Sequence, residues 1–266
     1  MIDCVDSDCQ MRVNVELYKG KLSVRIGGDA AMGGTLCYNG SVCISGLTAS
    51  GKSTHSHLLA GEFGLTYVSG SQILLNKAGK SPIQNKDFWV TPEARKLKAD
   101  DGYAVIDQEL LRIESIGQGY IFDAITPPWT HKRPALCIWL ESSLESRVLK
   151  SIVSHRGRGA LTRAEYPAKI MEKDNDTIGL CRRIHGIAVG TDLACFDLIL
   201  DISGLIKEAS LDASLESIRI AHLLIRSASA WYLTGRTDYG AQFKEAIKAF
   251  PQIVKFNRVT PCTVEE

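Results

Sequence analysis

"SGLTASGKSTHS", residues 45–56, decides the fold of this chain. Gly46 and Gly51 stand five apart, and Lys52 and Ser53 follow at once, so Gly46-Leu47-Thr48-Ala49-Ser50-Gly51-Lys52-Ser53 fits the pattern G-x-x-x-x-G-K-[ST]. A flexible turn can carry the same letters, and the flanks choose between the two readings. Before the motif, "SVCISGL" (41–47) is an apolar run ending in glycine. After it, "GKSTHSHLLAGEFG" (51–64) puts Leu58, Leu59 and Phe63 on one helical face, with Gly64 as its stop. Strand, loop and helix is the setting in which the motif has a mechanism: glycines let the backbone wrap so that N–H groups converge on phosphate oxygens, and the helix N-terminus adds its positive dipole end. The pattern therefore predicts that Gly46, Thr48, Ala49, Ser50, Gly51, Lys52, Ser53 and Thr54 surround the phosphates of a nucleotide. Lys52 is the point charge on the β and γ phosphates, and the Ser53 hydroxyl meets Mg²⁺.

Mg²⁺ takes oxygen ligands, usually one or two from protein, so a carboxylate is expected at the end of a neighbouring strand. "GYIFDAI" (119–125) supplies Asp123; the plainer reading of Asp123 is a cap on the turn ahead of "TPPW". Further strands follow the same apolar, non-alternating pattern: "LTYVSG" (65–70), "ALCIWLES" (135–142) and "FDLILDIS" (196–203). Helical segments lie between them, among them 103–118, with apolar residues at 103, 106, 110, 113 and 116. Such strands argue for a parallel sheet covered on both faces, an α/β fold of three layers, α/β/α, with a five-stranded parallel sheet.

Three segments are expected: an N-terminal extension over 1–40 with a hairpin around "KGK", a phosphate-loop domain over 41–235, and a helix with a tail over 236–266. The stretch 210–235 reads as a long packed helix with Leu211, Leu215, Ile218, His222 and Ile225 on one face, His222 being a core histidine. A chain of 266 residues, 45% hydrophobic and 23% charged, buries a large core and does not suit wholesale disorder. A formal charge of +1 gives no basic field that implies nucleic acid. No apolar run approaches the roughly 20 residues needed to cross a bilayer, and the acidic start "MIDCVDSDCQMRV" is unlike a signal peptide, so the expected location is cytoplasmic. Eight cysteines at 4, 9, 37, 43, 137, 181, 195 and 262 form no C-x-x-C pair, and mostly apolar neighbours mark them as reduced thiols. The oligomeric state is not legible in these residues.

The run "ISGLTASGKSTHSHLLAGEFGLTYVSGSQIL" resembles the beginning of cytidylate kinases of the compact archaeal type. "IDQELLRIESIGQGYIFDAITPPW", "CIWLESSLESRV", "KIMEKDNDTIGLCRRIHGI" and "CFDLILDIS" follow in the same order, so the resemblance spans about residues 41–203, with only the phosphate loop sharply specific. It implies a nucleoside monophosphate kinase fold with a monophosphate-binding segment after the second strand and a lid, about residues 150–190, that closes over ATP. In that family arginines grip the acceptor phosphate and lid arginines neutralise the transferring phosphoryl.

The chain departs from that pattern on the acceptor side, where Leu75 and Ala124 stand in the places of the two arginines. On the lid side Arg147 keeps its place, while Lys150 and Lys173 stand where arginine is common and cannot offer its bidentate fork. The double arginine near the lid's end aligns with Gly179 and Leu180, with Arg182 and Arg183 just beyond; "SHRGRGALTR" (154–163) adds Arg156, Arg158 and Arg163. The resemblance thus implies Lys52, Asp123, Arg147, Lys150 and Lys173 as the catalytic set. An acceptor without a phosphate has no need of the two missing arginines. Ser69, Ser71, Gln72, Asp123 and Trp129 are then expected around it, the hydroxyls and amide orienting it and the indole forming an apolar wall. Asp123 either accepts the attacking hydroxyl's proton or holds Mg²⁺ together with Ser53. The expected activity is transfer of the γ-phosphoryl of MgATP to a nucleoside monophosphate such as CMP or to a non-nucleotide hydroxyl metabolite. The alternative is an ATP-binding regulatory or interaction protein with little or no phosphotransfer.

Overall fold

The computed structural model describes residues 12–18, 21–27, 38, 40–77, 79, 102–132, 135–155 and 161–262. Arg156 and Arg158 of the basic loop, and Cys4, Cys9 and Cys37, lie outside the described residues. Strands β1 (Arg12–Tyr18) and β2 (Lys21–Gly27) pair antiparallel in a two-stranded sheet, in register from Arg12↔Gly27 to Tyr18↔Lys21. The chain continues as β3 (Ser41–Gly46), α1 (Lys52–Phe63), β4 (Thr66–Ser69), α2 (Gly70–Lys77), α3 (Tyr103–Ile116), β5 (Tyr120–Asp123) and α4 (Pro127–Thr130). It then forms β6 (Ala135–Glu141), α5 (Leu144–Ser154), α6 (Tyr166–His185), β7 (Leu198–Asp201), α7 (Leu211–Thr234), α8 (Thr237–Ala249) and β8 (Val254–Asn257).

The main sheet has six strands in the order β4-β5-β3-β6-β7-β8. The first five are parallel and correspond to the five apolar runs of the sequence. Both faces of each central strand are buried: Val42 and Ile44 with Ile121, Ile138 and Leu140 enter one cluster, with Leu224, Ile225 and Ala228 from α7. Cys43 with Phe122, Cys137 and Trp139 enters the other, with Ile106 and Leu110 from α3 and Leu180 from α6. The result is the three-layer α/β/α fold. It explains why these strands do not alternate apolar with polar: neither face meets water. Because consecutive strands leave β3 toward β5 on one side and β6 on the other, the carboxyl ends of β3, β5 and β6 open a crevice at the switch point.

Two expectations are corrected. Residues 254–257 do not trail off as a tail: they form β8, which returns to the sheet and pairs antiparallel with β7, Leu198↔Asn257 and Ile199↔Phe256, with a bulge before Leu200↔Val254. It covers an edge that β7 would otherwise present unpaired. On α7 the buried stripe is Ser214, Ser217, Ala221, Leu224, Ile225 and Ala228, while Leu211, Leu215 and Ile218 are only half-buried. Small side chains face inward there and bring α7 close to the sheet. His222 is a core residue as expected, facing the Nδ1 of His55 at 3.4 Å and Glu62 at 3.2 Å. Cys43, Cys137, Cys181, Cys195 and Cys262 carry reduced thiols in no disulfide, the first three buried. Among the described residues no helix is long and apolar enough to cross a membrane.

Candidate functional site

The loop between β3 and α1 is shaped by positions that only particular residues tolerate. Gly46 has φ 154°, and a Cβ there would meet the Leu140 carbonyl oxygen at 2.6 Å and Ser50 Oγ at 2.7 Å. Gly51 has φ 106°. Ala49 has φ 61°, the left-handed region that non-glycine residues seldom occupy and that strained functional loops often do. Helix α1 opens with Lys52, Ser53 and Thr54, with no side chain capping its first turn and no acid in it. Its leading N–H groups and dipole thus face the loop uncancelled, the arrangement that suits an anion.

Lys52 folds back over the loop, its Nζ donating to the carbonyls of Gly46 at 2.7 Å and Leu47 at 2.9 Å. Burial pushes this ammonium down to about 8, with Asp123 opposing the shift and Lys173 adding to it. Lys173, half-buried on α6, is lowered as well, chiefly by burial and against the pull of Asp174 and Asp123. Lys150 on α5 donates to Ser142 Oγ at 3.2 Å, and burial followed by the charge of Arg147 holds it at about 8. Lys52 and its neighbour Lys173 are therefore kept short of full hydration at the loop, and phosphate oxygens would relieve that cost.

Ser53 and Asp123, the expected metal pair, meet directly: Ser53 Oγ donates to Asp123 Oδ2 at 2.6 Å. Asp123 ends β5, whose neighbour β3 leads into the loop, and the register Ile44↔Asp123 places the carboxylate beside it. A hydroxyl and a carboxylate on rigid elements beside a phosphate cradle fit a Mg²⁺ ion, which takes its remaining ligands from phosphates and water. The two residues that sequence reasoning passed over also sit here. Tyr67 on β4 donates its hydroxyl to the same Asp123 Oδ2 at 2.7 Å. Burial, then the Asp123 charge, keeps that phenol protonated by raising it well above its ordinary value. The one available signal was its spacing, two residues before Ser69 on a strand, which puts both on one face.

The second is Asp174 on α6, and it changes the reading of Arg147. Asp174 Oδ1 accepts the Thr48 N–H at 2.9 Å, Asp174 Oδ2 accepts Arg147 Nη1, and Arg147 Nη1 also donates to the Thr48 carbonyl at 3.1 Å. Arg147 Nε donates to the Ser142 carbonyl at 3.1 Å. Both backbone groups of Thr48 are thus gripped by a buried ion pair that joins α5 and α6 to the loop. Arg147 is expected from sequence beside the transferring phosphoryl; in the structure it clamps the loop. Arg182 and Arg183 are exposed in the last turn of α6, and Arg163 is exposed before its start. From Lys173 to Arg182 the helix climbs roughly 13 Å, so the pair does not converge on the loop.

On the acceptor side Ser69 is buried, stands in register with Asp123, and accepts the Gln72 N–H at 3.3 Å, capping α2. Ser71 is exposed in the first turn of α2, and Gln72 donates its amide to Asn76 at 2.6 Å. Trp129 on α4 donates its indole N–H to the Asp192 carbonyl at 3.1 Å and stands edge-on to Phe196, with centroids 5.1 Å apart. Its ring is engaged with the core beside the crevice. The structure thus brings Ser69 and Asp123 together, places Ser71 and Gln72 one turn away, and sets Trp129 against Phe196. Leu75 is 3% exposed and Ala124 7% exposed, both facing the interior.

Loop, crevice and flanking layers define a phosphate-loop protein of the three-layer α/β/α class. No protein-family model matches the chain. Over 168 residues, 62% of this chain and 87% of the relative, it is 26% identical to the cytidylate kinase of Sulfurisphaera tokodaii. Over 173 residues, 61% of this chain and 84% of the relative, it is 25% identical to the cytidylate kinase of Methanopyrus kandleri. Among solved structures the chain is similar to a shikimate kinase from Acinetobacter baumannii in complex with shikimate (TM-score 0.38, 12% identity, 70% of this chain and 93% of that one). A gluconokinase from Sinorhizobium meliloti 1021 is another (TM-score 0.40, 12% identity, 74% of this chain and 98% of that one).

Proposed function

We propose that this protein is an ATP-dependent phosphotransferase that moves the γ-phosphoryl of MgATP to a small-molecule acceptor. The observation that carries the reading is the Ser53–Asp123 pair at 2.6 Å, set at the mouth of a glycine loop that Lys52 already crosses. The similarity to two cytidylate kinases supports it. Ser53 and Asp123 would hold the magnesium, whose charge neutralises the β and γ phosphate oxygens as the phosphoryl leaves. Lys52 swings from its loop carbonyls onto those oxygens, and Lys150 and Lys173 compensate the remaining charge from the helices behind. Arg147 and Asp174 act by holding Thr48, so the loop keeps its curvature while the phosphates exchange.

The acceptor is a nucleoside monophosphate such as CMP or a non-nucleotide hydroxyl metabolite, and burial of Leu75 and Ala124 favours the latter. Apolar residues packed inward leave nothing at those two positions to grip an acceptor phosphate. Ser69, Ser71 and Gln72 then orient the acceptor hydroxyl beside the metal held by Ser53 and Asp123.

ATP consumption measured over CMP, dCMP, UMP, nucleosides and hydroxylated metabolites tests this, with Lys52→Ala as the control. Turnover with at least one acceptor, lost in Lys52→Ala, is expected. That variant should also lose nucleotide-dependent thermal stabilisation, about 2.7 kcal/mol at a hundredfold excess of ligand over Kd. ATP binding without turnover on any acceptor would instead support an ATP-binding regulatory protein of this fold. That second reading is favoured by Arg147 being buried with its guanidinium engaged by Asp174 and the Thr48 carbonyl.

A further inference from the structure

Tyr67 links the two halves of the site, and no role for it follows from the loop motif. Its hydroxyl and that of Ser53 both donate to Asp123 Oδ2, at 2.7 and 2.6 Å. Two short charge-assisted bonds to one carboxylate oxygen fix the rotation of the group about its last torsion and aim the other oxygen. The Tyr67 ring is itself held: His57, one helical turn after Ser53 on α1, stacks on it with centroids 4.0 Å apart and planes 25° from parallel. Ser69, two residues further along β4 and so on the same face, caps the first turn of α2 by accepting the Gln72 N–H. The bonded chain Ser53–Asp123–Tyr67 therefore runs from the phosphate-loop helix to the strand face from which Ser69 caps the acceptor-side helix.

We propose that Tyr67 is a positioning residue that fixes the Asp123 carboxylate for a hard divalent cation shared with Ser53, and so sets the metal concentration at which nucleotide is captured. The inference rests on the MgATP reading given above. Partners that orient a ligating carboxylate typically contribute about 10- to 100-fold to metal affinity. Phenylalanine keeps the ring against His57 and removes only the oxygen.

The experiment is a calorimetric titration of the full chain with a non-hydrolysable ATP analogue over a series of Mg²⁺ concentrations, for wild type and Tyr67→Phe. The Mg²⁺ concentration giving half-maximal tightening is expected to rise at least tenfold in Tyr67→Phe, about 1.4 kcal/mol, while metal-free analogue binds within twofold of wild type. A residue that only supported the fold would lower the melting temperature and leave the metal midpoint in place. Should Tyr67→Phe fail to fold, His57→Leu at an exposed position keeps the hydroxyl but releases the ring, and its midpoint is expected to rise about threefold. An unmoved midpoint in the variant that folds, beside a clear Mg²⁺ dependence in wild type, overturns this inference alone. Wild type indifferent to Mg²⁺ overturns the MgATP reading and this inference with it.

Discussion

Replacing Arg147 by methionine separates a structural clamp from a phosphate ligand. Arg147 is 6% exposed and its partner Asp174 is 5% exposed. Removing the guanidinium strips the Asp174 carboxylate of its ion-pair partner, leaving it the Thr48 N–H at 2.9 Å as a donor. Breaking one side of a buried ion pair costs about 3–5 kcal/mol, because the surviving charge stays out of water. That is a large share of the roughly 5–15 kcal/mol that holds a domain folded. For a chain of this size each kcal/mol moves the melting temperature by about 2–4 °C, so Arg147→Met is expected to melt roughly 6–20 °C lower without any nucleotide. Methionine fills most of the stem's volume, which limits the part of the loss owed to packing. In Arg147→Met/Asp174→Ala neither half of the ion pair is left buried alone, and the double variant should be less destabilised than the two single losses summed, by about 2–3 kcal/mol. Urea unfolding of all four proteins measures this coupling. The reasoning fails if Arg147→Met unfolds at the wild-type urea concentration but binds ATP many-fold more weakly, since Arg147 would then be meeting phosphate and not Thr48.

Gly46→Ala is expected to cost about 2–4 kcal/mol and to abolish nucleotide-dependent stabilisation, because the new Cβ would lie 2.6 Å from the Leu140 carbonyl at a φ of 154°. A variant that melts and binds as wild type would show that the loop curvature is not fixed at that position. Lys150 carries a pH dependence. Its ammonium is held at about 8 against an ordinary 10.5, so between those values the unfolded chain binds the proton more tightly, and stability from this group rises with pH across that window. Lys150→Met should therefore be more stable than wild type at pH 7, by about 1–3 kcal/mol, and lose the advantage near pH 10.5. An advantage that is equal at both pH values would contradict burial as its cause.

The sequence alone determined the five parallel strands, the helices between them and the place of the phosphate loop, because these rest on local rules. Apolar runs that never alternate need two covered faces, and the glycine spacing has a meaning only between a strand and a helix. The Ser53–Asp123 meeting was legible for the same reason: one residue opens the helix after the loop and the other ends a strand, where magnesium chemistry wants a carboxylate. Strand β8 was not legible, since four mostly exposed residues gain their strand character only from the edge of β7. The inward face of α7 was misread because small residues are chosen by closeness of approach, which apolar periodicity does not report. Arg147 shows the limit most plainly. Its charge and position are written in the sequence, but whether that charge faces a phosphate or Asp174 depends on a residue 27 positions away that packing brings alongside. Tyr67 likewise acquires its partner only when β4 and β5 lie side by side. Spacing along the chain fixes which elements form, whereas the partner of a buried charge or hydroxyl is fixed by which elements then meet.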